Sequence, residues 1–355
     1  LCMTGRCPVS FREARRGVRT IQMSNDQVAL VINVTLRCPL KCSHCCYSSD
    51  MMKAGHLSLE DVKQAIREAV AIGAFKVVHF VGGDPLLHPD LVCEAIEFAT
   101  SLGLRSGLTT SAFWAKSPAR ARKILLALKQ AGLTEITISY DDAHAEFLHI
   151  SCVRNAVSTS VDLALKARVA VVVEPGSLIT AESLRAALVV DDSVMVYETA
   201  INSTGRAADI AESRGVARKR NEHAYRGPCQ SVLSTFQIDP GGRVLPCCGV
   251  LPHHDAMVVG HLHDGGIQAA VQSAQDDALL QWIRKEGPVE VLVRATANDA
   301  VPLRHDDFDG VCTACDQLYS SLRLLTLARA LAEERACVVG AQGREAGAPP
   351  CSALE

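Results

Sequence analysis

The chain has 355 residues, with 36 basic and 39 acidic side chains mixed along it for a formal charge of −3. That balance offers no basic face to nucleic acid or an anionic membrane, and no apolar run approaches the roughly 18 to 20 residues that span a bilayer. Fifteen cysteines without an export signal imply a reducing, cytoplasmic setting, where thiols bind metal or do chemistry rather than pair.

Residues 1–26 read as an N-terminal extension, and residues 27–201 as a large α/β unit. Gln27 to Leu36 is rich in β-branched residues and predicts a buried strand. Ser58 and Asp61 cap a helix over Leu59 to Ile72, whose apolar positions recur at helical spacing, and Gly73 ends it. The alternation continues with strand Phe75 to Val81, helix Asp90 to Leu102, strand Leu104 to Thr110, helix Pro118 to Ala131 and strand Thr134 to Tyr140. Helix Val153 to Ala167, strand Val169 to Glu174, helix Ala181 to Leu188 and strand Ser193 to Tyr197 complete six units. Such alternation predicts a parallel sheet with right-handed crossovers, doubly wound or closing toward a barrel, with ligands at the C-terminal ends of its strands.

Chemistry-bearing residues fall at those ends. Cys38, Cys42 and Cys45 follow the first strand, Gly82-Gly83-Asp84-Pro85 the second, Thr109-Thr110-Ser111 the third and Ser139 to Asp142 the fourth.

Residues 202–226 turn polar, carry the run Arg218-Lys219-Arg220, and read as a linker. A second unit over 227–336 holds Cys229, a hairpin of Thr235 to Asp239 and Arg243 to Leu245 about the turn Pro240-Gly241-Gly242, and then Cys247-Cys248. A helix over Ile267 to Lys285, Cys312-Thr313-Ala314-Cys315 and a helix over Asp316 to Glu334 follow. Residues 337–355, with a Gly, Ala and Pro-rich stretch from Gly340, read as a flexible tail. Cys93 and Cys152 fit packed thiols in helices.

Three thiolates spaced CxxxCxxC can hold three irons of a 4Fe-4S cluster and leave the fourth iron open to a small molecule; the alternative is a zinc site, which closes with four ligands. The spacing, followed one strand later by the glycine-rich turn, resembles the radical S-adenosylmethionine superfamily over most of residues 27–200. The resemblance implies a partial (β/α)6 TIM-like barrel and a cluster on Cys38, Cys42 and Cys45 whose open iron binds S-adenosylmethionine. It also implies a 5′-deoxyadenosyl radical that takes hydrogen from an unactivated carbon. His44 fits the aromatic slot before the third cysteine. Gly82, Gly83, Asp84 and Pro85 stand where the family has Gly-Gly-Glu-Pro, which binds the cofactor's amino group through its backbone. Thr110, Ser111 and Ser139 occupy positions that face the cofactor's ribose in the family; Asp141 and His144 are candidates to meet substrate, or Ser139 to His144 simply caps a helix. Gly205-Arg206-Ala207 resembles a stretch found after the sixth strand of related enzymes.

Cys229, Cys247, Cys312 and Cys315 can close around a second 4Fe-4S cluster or one zinc. Their order, with the phrase Ile238 to Cys247, resembles the twitch domain, a short relative of the SPASM extension, which implies one fully ligated auxiliary cluster and favours a net oxidation. Cys46 and Cys248, each beside a presumed ligand, are packed thiols or hydrogen-atom donors of an epimerase. Enzymes of this architecture modify ribosomally made peptides by crosslinking, oxidation or epimerisation, or oxidise and epimerise sugars and aminocyclitols, and the peptide is preferred here. An electron donor such as flavodoxin or ferredoxin is expected. With about 26 residues ahead of the first strand, leader recognition is expected from a separate protein, and Trp282 to Asp309 is a candidate cover over the substrate. A non-catalytic iron-sulfur or zinc protein is the remote alternative, which the intact turn at Gly82 argues against.

Overall fold

The computed structural model describes residues 28–190, 192–201, 204–208, 225–249 and 254–342. The expected N-terminal extension, the basic run of the linker and the last residues of the tail lie outside these. Six parallel strands alternate with helices: β1 (Val28–Asn33), α1 (Leu59–Ile72), β2 (Phe75–Val81), α2 (Pro89–Ser101), β3 (Arg105–Thr110), α3 (Pro118–Ala131) and β4 (Leu133–Ser139). Then come the short α4 (Asp142–Ala145), α5 (Ile150–Asp162), β5 (Lys166–Val173), α6 (Ala181–Leu188) and β6 (Met195–Ala200).

The sheet order is β6-β5-β4-β3-β2-β1, an open partial barrel in which each strand pairs in parallel with its sequence neighbour. Beyond β1 the same sheet continues with β7 (Thr235–Ile238), β8 (Arg243–Leu245) and β9 (Gly260–His261). β7 runs parallel to β1, with Ile32 opposite Ile238, and the hairpin then turns back on itself. The cysteine-bearing second unit is therefore bonded edge-on to the strand that carries the first cysteine loop.

Alternation along the strands sorts the sheet into two faces. Leu30, Ile32, Phe80, Leu108, Ile136 and Phe236 are fully buried on the helix side, where they contribute to the hydrophobic stabilisation of the fold. The opposite, concave face carries Asn33, His79, Thr109, Thr137, Arg168 and Gln237, read from the same strand registers. α1 shows the local logic. Its Ser58–Asp61 capping box satisfies the first amides, Val62, Ala65, Ile66 and Ala69 are buried, and Gly73 ends it in the left-handed region.

The second unit packs α7 (Gly266–Asp276), α8 (Ala278–Glu286), α9 (Pro288–Ala295), α10 (Val311–Ser320) and α11 (Leu322–Gln342) beside the hairpin. Two helices expected to be continuous are broken. Asp277 leaves helical geometry and accepts the Leu280 amide at 2.9 Å, splitting α7 from α8. Ser321 does the same for α10 and α11, accepting the Leu324 amide at 3.3 Å. Apolar periodicity runs through both breaks, so only the capping chemistry of Asp and Ser marks them. α11 also continues through Gly340 to Gln342, past the point where the sequence suggested a tail, because Ala341 and Gln342 are good helix formers. Among the described residues no helix is long and apolar enough to cross a membrane.

Candidate active site

The Cys38–Cys45 loop leaves the C-terminal end of β1 and folds tightly on itself. The Cys45 amide donates to the Cys42 carbonyl at 3.2 Å and the Ser48 amide to the Cys45 carbonyl at 3.0 Å. Two amides point at sulfur: Leu40 at Cys38 Sγ and Ser49 at Cys45 Sγ, each at 3.4 Å, donors that favour the thiolate form. Burial works the other way, pushing the Cys38 thiol up to about 12 and the Cys42 thiol higher. Thiols this buried become thiolates when a cation supplies the countercharge.

The glycine turn after β2 is bolted to this loop. The Gly83 amide donates to Thr35 O at 2.6 Å and the Asp84 amide to Arg37 O at 2.9 Å. A side chain at Gly83 would collide with the Arg37 carbonyl, so glycine is required for the approach. With these N–H groups committed to the loop, the carbonyls of Gly82 and Gly83 accept no bond from the described residues, which suits them to an ammonium group. Pro85 opens a short 3-10 turn behind them.

Asp84 itself is fully buried and turned away from any ligand. It accepts from Thr110 Oγ1 at 2.9 Å, the Ser111 amide at 2.9 Å, Ser111 Oγ at 2.7 Å and the Leu86 amide at 3.1 Å. Burial pushes its carboxyl up, against the pull of these donors. The ribose role read for Thr110 needs correction. Its hydroxyl donates to Asp84 and accepts from the Ala112 amide at 3.2 Å and Trp114 Nε1 at 3.0 Å, so no capacity is left. The shorter Asp in place of Glu thus ties the ends of β2 and β3 together. Ser111 shares the same tie, while the Ser139 hydroxyl makes no bond within the described residues and stays open at the end of β4.

Asp141, 1% exposed, joins two histidines. It accepts from His44 Nε2 at 2.9 Å and His144 Nδ1 at 2.8 Å on the same oxygen, and from the His144 amide at 3.1 Å. Burial would raise its pKa, but the two histidine donors outweigh it and hold the carboxyl below the usual range. For His44, burial lowers the pKa and Asp141 more than restores it. His44 and Asp141 border a cavity of about 460 Å³ lined also by Ser43, Val172, Glu174 and Ile201, and His144 stands behind them. The sequence suggested Asp141 and His144; their link to His44, inside the cysteine motif, appears only in three dimensions.

A second thiol group gathers in the other unit. α10 presents Cys312 and Cys315 one turn apart, and a Cβ on Gly249 would sit 3.4 Å from Cys312 Sγ and 3.7 Å from Cys247 Sγ. Burial pushes the Cys312 thiol up to about 11 and those of Cys247 and Cys315 further, with Cys229 adding its charge to all three. Cys248 is exposed whereas Cys247 is buried. Surrounding protein still raises the Cys248 thiol pKa. Tyr47 bridges the two regions, its hydroxyl donating to Gln237 on β7 at 3.1 Å.

Spacing tests what these thiols suit. Four sulfurs 2.3 Å from one zinc lie about 3.8 Å apart. Among the described residues the group of three donors within 4.8 Å of one another is His44, Asp141 and His144, and neither cysteine set meets that limit.

Residues 32–173 match the model of the Radical SAM superfamily. This region belongs to the radical SAM superfamily. Membership brings S-adenosylmethionine and a 4Fe-4S cluster with it. YydG of Bacillus subtilis (strain 168), named for peptide biosynthesis, is 22% identical over 299 residues, covering 82% of this chain and 91% of that protein. The PqqA peptide cyclase of Rhodopseudomonas palustris (strain ATCC BAA-98 / CGA009) is 36% identical over 119 residues, which is 33% of this chain and 30% of the cyclase. The solved structure of anSMEcpe with AdoMet and the Cp18Cys peptide superimposes with a TM-score of 0.52 at 14% identity, over 86% of this chain and 99% of that one. The radical SAM partial barrel is thus the fold of this chain as well.

Proposed function

We propose that this enzyme modifies a ribosomally made peptide, with the radical cluster on Cys38, Cys42 and Cys45 and an auxiliary 4Fe-4S cluster on Cys229, Cys247, Cys312 and Cys315 in a twitch-like unit. The observation that carries the peptide is the match to YydG along 91% of its length. When bound, the first cluster and S-adenosylmethionine supply a radical that takes hydrogen from an unactivated carbon. The protein's part is placement. The Gly82 and Gly83 carbonyls receive the cofactor's amino group, His44 and Ser139 border its nucleoside, and Asp141, backed by His144, holds His44 at the cavity wall. The sheet's concave face keeps water from the radical.

Cys248 favours epimerisation over oxidation or crosslinking. It is exposed beside the buried Cys247 and is not needed as a ligand. Once a peptide carbon has lost its hydrogen atom, the S–H bond of Cys248 breaks and a new C–H bond forms on the opposite face. The sulfur recovers its hydrogen with one electron and one proton, the electron coming from a reductant of the flavodoxin or ferredoxin class.

Anaerobic incubation with S-adenosylmethionine, reductant, heavy water and the short peptides encoded beside its gene tests this. Expected are 5′-deoxyadenosine and a peptide of D configuration carrying one deuterium at the inverted carbon, lost in C248A. No 5′-deoxyadenosine would sink the radical reading, and a product two hydrogens lighter would replace epimerisation by dehydrogenation.

A further inference from the structure

The short segment after β6 makes an unassigned contact with the cysteine loop. Arg206 Nε donates to the Cys42 carbonyl at 2.9 Å across 164 positions of sequence, and the Arg206 amide donates to the Cys45 carbonyl at 3.1 Å. Gly205 makes this approach possible. It adopts φ 58°, and a Cβ there would collide with the Cys46 carbonyl and lie 2.6 Å from that of Cys45. The guanidinium is thereby held within one residue's reach of two presumed ligands. Its Nη2 is buried without a partner among the described residues, although a guanidinium ordinarily finds a carboxylate or other acceptor when removed from water. No carboxylate pairs with Arg206 among the described residues. Its positive charge is left facing the thiols, and its field acts on both Cys38 and Cys42.

We infer that Arg206 is a positioning residue of the radical cluster, held on the Cys42–Cys45 backbone so that its buried charge stabilises the reduced, more negative state of the cluster. Three thiolates leave a 4Fe-4S assembly anionic, and reduction adds one more negative charge. A fixed cation beside it, poorly screened by solvent, favours the added electron and raises the reduction potential. The second bond, from backbone to Cys45, fixes the loop whatever the side chain does, so the charge can be removed without dismantling the contact.

The proposal rests on Cys38, Cys42 and Cys45 carrying the S-adenosylmethionine-binding cluster. The test is a redox titration of the reconstituted full chain followed by electron paramagnetic resonance, reading only the reduced signal that changes when S-adenosylmethionine is added. A fully ligated cluster does not respond in this way, so the two centres are read apart. R206Q is expected to move that midpoint to more negative values, and R206K to restore it. An R206Q midpoint equal to the parent's overturns the proposal, and so does a parent midpoint accompanied by weakened S-adenosylmethionine binding, which would make Arg206 a cofactor ligand instead. Should R206Q hold no cluster, G205A decides: it displaces Arg206 without removing it, the negative shift is again expected, and a parent midpoint overturns the proposal. Absence of any S-adenosylmethionine-responsive signal in the parent chain would refute the cluster assignment itself rather than the role of Arg206.

Discussion

The two cysteine sets are built in opposite ways. Cys38, Cys42 and Cys45 lie within eight residues of one loop, fixed by the loop's own amides and by the adjacent glycine turn. Cys229, Cys247, Cys312 and Cys315 come from a segment before a hairpin, the hairpin's end and a distant helix, and meet only when α7 to α10 have packed. A local site is preformed by the strand that leads into it. A dispersed site needs much of the chain ordered first, so its metal is expected to contribute to folding of the second unit, as structural metals do.

The largest effects should fall on the local site. C42A is expected to abolish 5′-deoxyadenosine formation and to lower iron by about four atoms per chain, the content of one 4Fe-4S cluster, with little change in melting temperature. C312A should remove about four irons too, but melt the second unit at lower temperature while leaving some S-adenosylmethionine cleavage. Iron counts with calorimetry on both variants check the contrast. Equal melting temperatures would break the distinction between a preformed and an assembled site.

The seam between the two regions offers a sharper cut. Phe236 of β7 is fully buried and meets Phe75 of β2 edge-on, ring centroids 6.0 Å apart. F236A should cost about 3–5 kcal/mol, the usual range for a buried phenylalanine truncated to alanine. Because β7 is bonded to β1, which leads into Cys38, this loss should be felt at both sites. Chemical denaturation, with absorbance of the clusters as a second probe, is expected to show the two regions unfolding together. Separate transitions would mean that β7 is an appended edge rather than part of the barrel's sheet.

How much of this the sequence discloses follows the same division. The alternation of β1 to β6 with the helices between them, the short α4 excepted, the CxxxCxxC loop and the turn at Gly82 are legible because each is written in neighbouring residues with a period or a spacing. Strand ends are legible to within a few residues; β5 begins at Lys166, ahead of the apolar run that points to Val169, since backbone pairing with β4 does not need an apolar side chain. Arg206 on Cys42, Tyr47 on Gln237 and the pairing of β7 with β1 are contacts between distant stretches, for which local patterns carry no signal. Asp84 is instructive in another way. Its type departs visibly from the common glutamate, yet the sequence does not show that Thr110 and Ser111 are its partners, because a hydroxyl at a strand end looks the same whether it meets a cofactor or a buried carboxylate.

The smallest effect tests the assembled region at one residue. Asp277 caps α8 through a 2.9 Å bond to the Leu280 amide, and it interrupts an apolar pattern that otherwise runs on from α7. D277A should cost about 1 kcal/mol, the usual worth of an N-cap. Alanine favours helix, yet the two helices are not expected to merge, because α7 is fixed independently: the Ile267 amide donates to Glu68 Oε2 at 2.6 Å on α1, and Ile267, Ala270 and Val271 are buried. Straightening would pull those residues out of contact at a cost greater than alanine's gain in propensity. Circular dichroism should therefore show no added helix in D277A, with a small drop in melting temperature of the second unit. A gain in helicity would mean that the cap, rather than packing, sets the angle between the helices that bring α10 and its two cysteines to the hairpin.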